Sequence, residues 1–213
     1  MRDEETSYFR QDMFQYLDPL GELEYVAKAV VIDPAISNAA TADDCVIAVV
    51  GITTKGKIGV IDIWGKRGAS PREQVDMYFN MVAMHTPDRH GVEAIAYQAA
   101  LVHLLREEMF RRKMYFEIEE IKHKTRKQER ILGVLQPRYA ARYVFHARPF
   151  PKLEQQLLDF NGKNHDDYPD AVAMAVSLLD PYAAQAADPD IDLAKDEYKS
   201  LEDEFDGTYY SAP

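Results

Sequence analysis

The chain has 213 residues, of which 46% are hydrophobic and 29% charged, so it can bury a full core in one domain with appendages. No apolar run reaches the roughly 18 residues that span a bilayer, and MRDEETSYFRQ lacks both the basic start and the apolar stretch of a secretory signal, so no membrane role is expected. Cys45 alone excludes a disulfide framework or a thiolate metal cluster and suits a reducing cytoplasm, while the net charge of -11 argues against nucleic acid unless the charge is unevenly placed.

In chain order, SYFRQDMFQYLDPL (7–20) has the spacing of a short amphipathic helix, an arm rather than core, ending near Pro19 and Gly21. AKAVVIDPA is a buried strand running into Asp33 and stopped by Pro34. CVIAVVGI and IGVIDIWG are two further apolar, β-branched strands. The TTKGK turn between them makes them antiparallel. Ser70-Pro71-Arg72-Glu73 announces a helix, with Ser70 as cap, Pro71 in the first turn and Glu73 completing a capping box. GVEAIAY then reads as a strand, QAALVHLLREEMFRRK as an amphipathic helix and MYFEIEEIK as an alternating strand. TRKQERILGVLQPRYA predicts a helix broken at Pro137, RYVFHA a short strand or turn, and FPKLEQQLLDF a helix. HDDYPDAVAMAVSLLD is a last helix with an acidic first turn. The order specifies an α/β layered domain, a mixed β-sheet with helices on both faces.

The charge is indeed uneven. Residues 181–213 hold nine acids against Lys195 and Lys199, show little apolar periodicity and read as a disordered or loosely docked tail. Residues 104–152 carry thirteen Lys and Arg against six Glu, a candidate phosphate-contacting face or simply a solvated helix surface.

Three groups of acids stand where α/β domains place their chemistry. Asp33 ends the first long strand, Glu93 lies in GVEAIAY, and Asp166, Asp167 and Asp170 crowd the first turn of the last helix, where the macrodipole favours carboxylates. Asp167 and Asp170, three apart, share a helix face. Gathered carboxylates need a cation among them, and with few His and no spare Cys, hard Mg²⁺ or Mn²⁺ is the fitting choice. Two such ions would clamp the attacking water and the leaving oxygen of a phosphodiester. Singly, each acid has a plainer reading: Asp33 as a strand-end turn residue, Glu93 as an exposed strand carboxylate, Asp166 and Asp167 as helix caps. The order D…E…DDxxDA is far more restrictive.

VVIDPA, GVEAIAYQ, the KQERI helix start and HDDYPDAVAMA together resemble the nuclease domain of tailed-phage large terminase subunits, over roughly residues 28–180. The resemblance implies a ribonuclease H-like fold and metal-dependent endonucleolytic cutting of concatemeric DNA into genome lengths. The positions matching the family's metal-binding acids are Asp33, Glu93 and Asp167, with Asp166 as a neighbouring acid. Asp43 or Asp44 falls where some members carry an accessory acid, and Asp170 matches an acid that related junction resolvases use in a DxxD pair. By the same resemblance two Mg²⁺ or Mn²⁺ ions are the cofactors, and double-stranded DNA, the packaging ATPase domain, the portal and the small terminase subunit are the partners. The place of work is the cytoplasm of the infected bacterial host. Lys122, Lys124, Arg126, Lys127 and Arg130 would grip the DNA backbone without reading bases.

The division expected is an arm at 1–27, the nuclease domain at 28–182 and an acidic tail at 183–213. The ATPase domain of a complete large terminase is not seen: GITTKGKI (51–58) nearly spells a P-loop, but Ile58 stands where Ser or Thr belongs and the segment joins two strands. The chain thus reads as an excised or a separately encoded nuclease domain. His165 before the acid pair could ligand a metal or cap the helix, and Tyr97 and Gln98 could support the site or only pack. His85, His90 and His103 have no carboxylate partner that spacing names, while Trp64 and the Met77, Met81, Met84 helix read as core. Two rivals remain: a junction resolvase or another nuclease of this fold, and a non-catalytic assembly module of the packaging motor.

Overall fold

The computed structural model describes residues 7–17, 24–34, 44–93, 98–123, 125–161 and 166–183. Its strands are β1 (Gln15–Tyr16), β2 (Tyr25–Asp33), β3 (Asp44–Thr53), β4 (Ile58–Arg67), β5 (Arg89–Glu93), β6 (Glu119–Ile121) and β7 (Val144–His146). They form one sheet in the order β1-β7-β4-β3-β2-β5-β6. The β2, β3 and β4 meander is antiparallel, whereas β5 is parallel to β2, β6 to β5, and β7 to both β4 and β1.

All ten residues of β3 are buried, because helices cover both sides of the sheet. Val30, Ile32, Cys45, Ile47 and Val49 face α1 (Pro71–His85) and α2 (Gln98–Arg112). Ala29, Val31, Val46, Ala48 and Val50 face the opposite layer of α3 (Lys127–Val134), α4 (Gln136–Ala140), α5 (Pro151–Leu158) and α6 (Asp167–Ala183). A continuous apolar run is what a strand buried on both faces requires. Among the described residues no helix is long and apolar enough to cross a membrane.

The capping box forms as its sequence specifies: Ser70 Oγ accepts from the Glu73 backbone N–H, and Glu73 Oε2 accepts the Ser70 N–H at 2.9 Å. Residues 51–58 span the end of β3, a turn at 54–57 with Gly56 at φ 69°, and the start of β4, so the near P-loop is a hairpin between antiparallel strands. Pro137 breaks the helix, but at Leu135, since its ring would meet the carbonyl four residues back.

Three segments differ from the sequence reading. Residues 7–17 are no helix. A 3₁₀ turn at Gln11–Met13 leads into β1, whose backbone bonds go to β7. Phe9, Met13 and Phe14 are buried, and the Phe9 ring meets Tyr139 and Phe160 edge-on at 5.7 and 5.8 Å, so tertiary burial outweighs helical spacing. MYFEIEEIK shortens to β6, an edge strand with only three β5 residues to pair, while Phe116 before it stacks on His90. The GVEAIAY strand begins earlier, at Arg89, and residues 94–97 lie outside the described set. So do residues 184–213, and with them nearly all of the acidic tail.

Candidate metal centre at the sheet edge

Strand direction brings the acids to one edge. β2 and β5 are parallel neighbours, with Ile32 opposite Val92, so Asp33 and Glu93 follow at the same carboxyl end. β3 runs the other way and therefore starts at that edge, with Asp44. Side-chain alternation settles the face: Asp33 has the parity of Ala29 and Val31, and Asp44 that of Val46 and Ala48. Glu93 follows Val92, which faces α1 and α2, and so turns the other way. All three carboxylates point to the side covered by α6. This is the crevice beyond strand ends where open α/β sheets hold ligands.

α6 begins over the same edge. The Asp44 backbone N–H donates to Asp167 Oδ2 at 3.3 Å, fixing the helix start against β3. Opposite lies α3, and the two helices meet in two rungs. Lys127 Nζ donates to Asp167 Oδ1 at 2.8 Å and stands 3.0 Å from Asp166 Oδ1 and 3.6 Å from Asp170 Oδ2. Arg130 grips Asp170 with two bonds of 2.8 and 2.7 Å, in a pair only 9% and 1% exposed.

Burial pushes the Asp33 carboxyl well above its usual range, helped by a hydrogen bond with Glu93 and by that residue's charge; Lys127 opposes the shift. Burial likewise raises Asp170 against the pull of Arg130 and Lys127. Burial disfavours the charge on Lys127, but Asp167, Asp170 and Asp33 outweigh it and hold the ammonium's pKa above normal. His123 Nε2 stands 3.2 Å from Glu93 Oε1, out of hydrogen-bond alignment, and burial and then Arg130 push this imidazole toward its neutral form.

Two facing carboxyls, one of them held toward its protonated form by burial, beside an imidazole pushed toward neutrality, suit a hard divalent cation. The donors fit such an ion. They do not close around one point, however: among the described residues no three acids, His or Cys form a metal-holding group. Asp33 and Glu93 face each other, whereas Asp166 and Asp167 are drawn to the Lys127 ammonium.

Residues 30–179 match the family model of the terminase RNaseH-like domain. The chain belongs to this family. In fold it is similar to the large terminase nuclease of thermophilic phage G20c, crystallised with bound zinc, at 16% identity and a TM-score of 0.56 over 78% of this chain and 94% of that one. The same nuclease with bound magnesium gives 16% identity and a TM-score of 0.54 over 80% and 96%. The HK97 bacteriophage large terminase is matched at 8% identity and a TM-score of 0.56 over 81% of this chain, which spans 43% of that longer protein. Among curated proteins nothing matches. The mixed sheet is therefore the RNase H-like fold of terminase nucleases.

Within this terminase domain the remaining site residues separate. Asp33, Glu93, Asp166, Asp167 and Asp170 come together. Asp44 stands next to them but pairs outward, with Arg67 Nε at 3.3 Å and Lys152 Nζ at 3.1 Å. Lys127 and Arg130 do not stand on a free surface; they are the internal counter-ions of the acids. Lys122 and Arg126 are exposed, with Lys122 Nζ 3.8 Å from Glu120. Lys124, Asp43, Tyr97 and His165 lie outside the described residues. His85 and His103 do have carboxylate partners, Asp62 at 3.0 Å and Glu107 at 3.3 Å, the second at the i,i+4 spacing of one helix.

His123 was missed, since nothing in its spacing ties it to Glu93. The α3–α6 rungs did leave a signal: Lys127 and Arg130 are three apart, as are Asp167 and Asp170.

Proposed function

We propose that this domain is a metal-dependent DNA endonuclease that cuts concatemeric phage DNA during packaging, in the cytoplasm of the infected host. The observation that carries the reading is the convergence of Asp33, Glu93 and the α6 acids on one face of one sheet edge, in a chain of the terminase family. Asp33, Glu93 and Asp167 would hold Mg²⁺ or Mn²⁺, with Asp166 beside them. Two such ions, when bound, lower the pKa of the attacking water and neutralise charge on the scissile phosphate.

The chain's own residues do the rest. Glu93 would accept from the attacking water and so orient it. Arg130 locks Asp170 and with it the first turn of α6, keeping Asp167 aimed at the edge. The exposed Lys122 and Arg126 meet the phosphate backbone, which fits an enzyme that reads little sequence. A packaging ATPase domain, the portal and a small terminase subunit are the partners proposed with this role.

The test is nicking and linearisation of supercoiled plasmid with Mn²⁺, Mg²⁺ or EDTA, for wild type and Asp33→Asn. Because Asp33 is held toward its protonated form without metal, the isosteric amide should leave the fold as stable as before. Cutting should fall about a hundredfold or more, the scale of several kcal/mol of lost transition-state stabilisation. A folded wild type that cuts no DNA in either metal, or an Asp33→Asn that cuts as fast as wild type, refutes the proposal.

A further inference from the structure

Beside the acid edge lies a surface cleft of about 760 Å³ lined by Asp44, Arg67, Pro151, Lys152, Gln155 and Gln156. Three elements meet there. Arg67 is the last residue of β4 and lies directly opposite Asp44 in the antiparallel register, so both side chains project from the same face. Lys152 stands in the first turn of α5. Tyr168 of α6 is tied to this lining: its backbone N–H donates to Gln156 Oε1 at 3.0 Å, and its ring lies 5.3 Å from Lys152 Nζ.

Asp44 is buried, and its two oxygens are divided between the two cations: Oδ1 takes Arg67 Nε, and Oδ2 takes Lys152 Nζ. Its backbone N–H goes to Asp167. Every polar group of Asp44 that faces the cleft is therefore engaged in positioning something else. The two cations are not used up. Arg67 and Lys152 remain 48% and 61% exposed, and with only Nε committed to Asp44 the guanidinium keeps its outer N–H groups for a ligand.

We propose that Arg67 and Lys152, held in place by Asp44, form a docking site for backbone phosphates of the DNA strand beside the one that enters the acid edge. The proposal rests on the nuclease reading and adds the direction in which the strand leaves the metal centre, across β4 and α5. The charge layout calls for such a site. A strand approaching five clustered acids is repelled, and Lys127 and Arg130 are already engaged by those acids. The cleft offers fixed positive charge and two neutral amides, donors of the kinds that phosphate oxygens accept from. Asp44 on this view positions two phosphate contacts and is not a metal ligand.

The test uses the full chain in EDTA, so that no cutting occurs, with fluorescence anisotropy of a labelled duplex across a salt series. The variants are Arg67→Gln/Lys152→Gln and the triple that adds Asp44→Asn, so that one of them leaves no buried carboxylate stranded. Loss of two phosphate contacts should make the slope of log K against log salt shallower by about 1.8 and weaken binding at about 0.1 M salt by about tenfold or more. Calorimetric Mn²⁺ binding by the triple variant should match wild type. A wild type that cuts plasmid while both variants keep its salt slope overturns this site and leaves the nuclease reading standing. Loss of Mn²⁺ binding in the triple variant also overturns it, by returning Asp44 to the metal set. A wild type that binds no duplex and cuts no plasmid overturns both.

Discussion

Arg130→Gln tests whether the α3–α6 contact is the internal charge balance of the acid edge. In wild type Asp170 is almost completely enclosed, and its two oxygens accept from the Arg130 fork at 2.8 and 2.7 Å. Removing one partner of such a pair typically costs about 3–5 kcal/mol, because the other charge stays buried without compensation. Asp170 has one escape, which sets an upper bound. It can take a proton, and doing so at pH 7 from the ordinary value of 3.8 costs about 4.4 kcal/mol at 1.36 kcal/mol per pH unit.

At pH 5 the same bound is about 1.6 kcal/mol. The sign follows from linkage. Losing Arg130 raises the folded-state pKa of Asp170 further above its unfolded value, so the variant's deficit is small in acid and grows as pH rises. The expectation is about 3–4 kcal/mol of destabilisation at pH 7, or a Tm lower by roughly 6–16 °C for a chain of this size, and a loss of no more than about 1.6 kcal/mol at pH 5. Urea and thermal unfolding at both pH values would measure it, and adding Asp170→Asn should restore most of the loss. A penalty below about 1 kcal/mol at pH 7, a penalty independent of pH, or a double variant no better than the single refutes the reasoning.

Lys127→Met leaves Asp166 and Asp167 without their ammonium, so the metal-free protein should melt lower and the Tm gain on adding Mn²⁺ should exceed that of wild type; equal gains would show that Lys127 does not compete for those oxygens. His90, stacked on Phe116 at 4.0 Å between ring centroids, has its pKa pushed down to about 4 by burial. Its contribution to stability is present above its ordinary 6.5 and is lost as pH falls through about 4, up to about 3 kcal/mol over that window. His90→Gln should flatten the stability profile there, and an unchanged profile would count against the assignment. Gly65→Ala should cost about 1–3 kcal/mol, because a Cβ there runs into the Tyr168 hydroxyl at the start of α6. Unfolding curves that superimpose on wild type would show that α6 yields freely.

The central meander was legible because β2, β3 and β4 are apolar stretches rich in Val and Ile set off by Pro34 and Gly56, and α1 because its capping box is local chemistry. The segment at 7–17 was not. Its aromatic spacing fits a helix, and only the pocket built by Tyr139, Phe160 and β7, more than a hundred residues away, makes a strand of it. Of the site, the residues and their order could be read, and strand direction could be inferred once the hairpin was recognised. Which cations face inward could not be read from a net charge, since Arg126 and Lys127 are adjacent in sequence, yet Arg126, the extended residue before α3, is exposed while Lys127, the first residue of α3, reaches the α6 acids. For Asp44 the sequence fixes a strand start near the acids; its partners Arg67 and Lys152 come from β4 and α5, elements whose approach depends on the whole sheet.

The charge balance of the edge ties these observations together. Five acids and two cations converge there, and His123 is pushed toward neutrality. With every carboxylate ionised the cluster would carry a net charge of -3, an arrangement a partly buried site does not sustain without relief. Two features relieve it: burial holds Asp33 toward its protonated form, and Lys127 stands among the α6 acids. On the proposed nuclease reading both occur at oxygens that would hold the ions, and two divalent ions would turn the deficit into a small positive excess. A phosphodiester, with its single negative charge, is the right size of ligand for that excess. Loaded with metal, the edge would attract the backbone that it repels when empty, so binding of the scissile phosphate and binding of the ions should be mutually reinforcing.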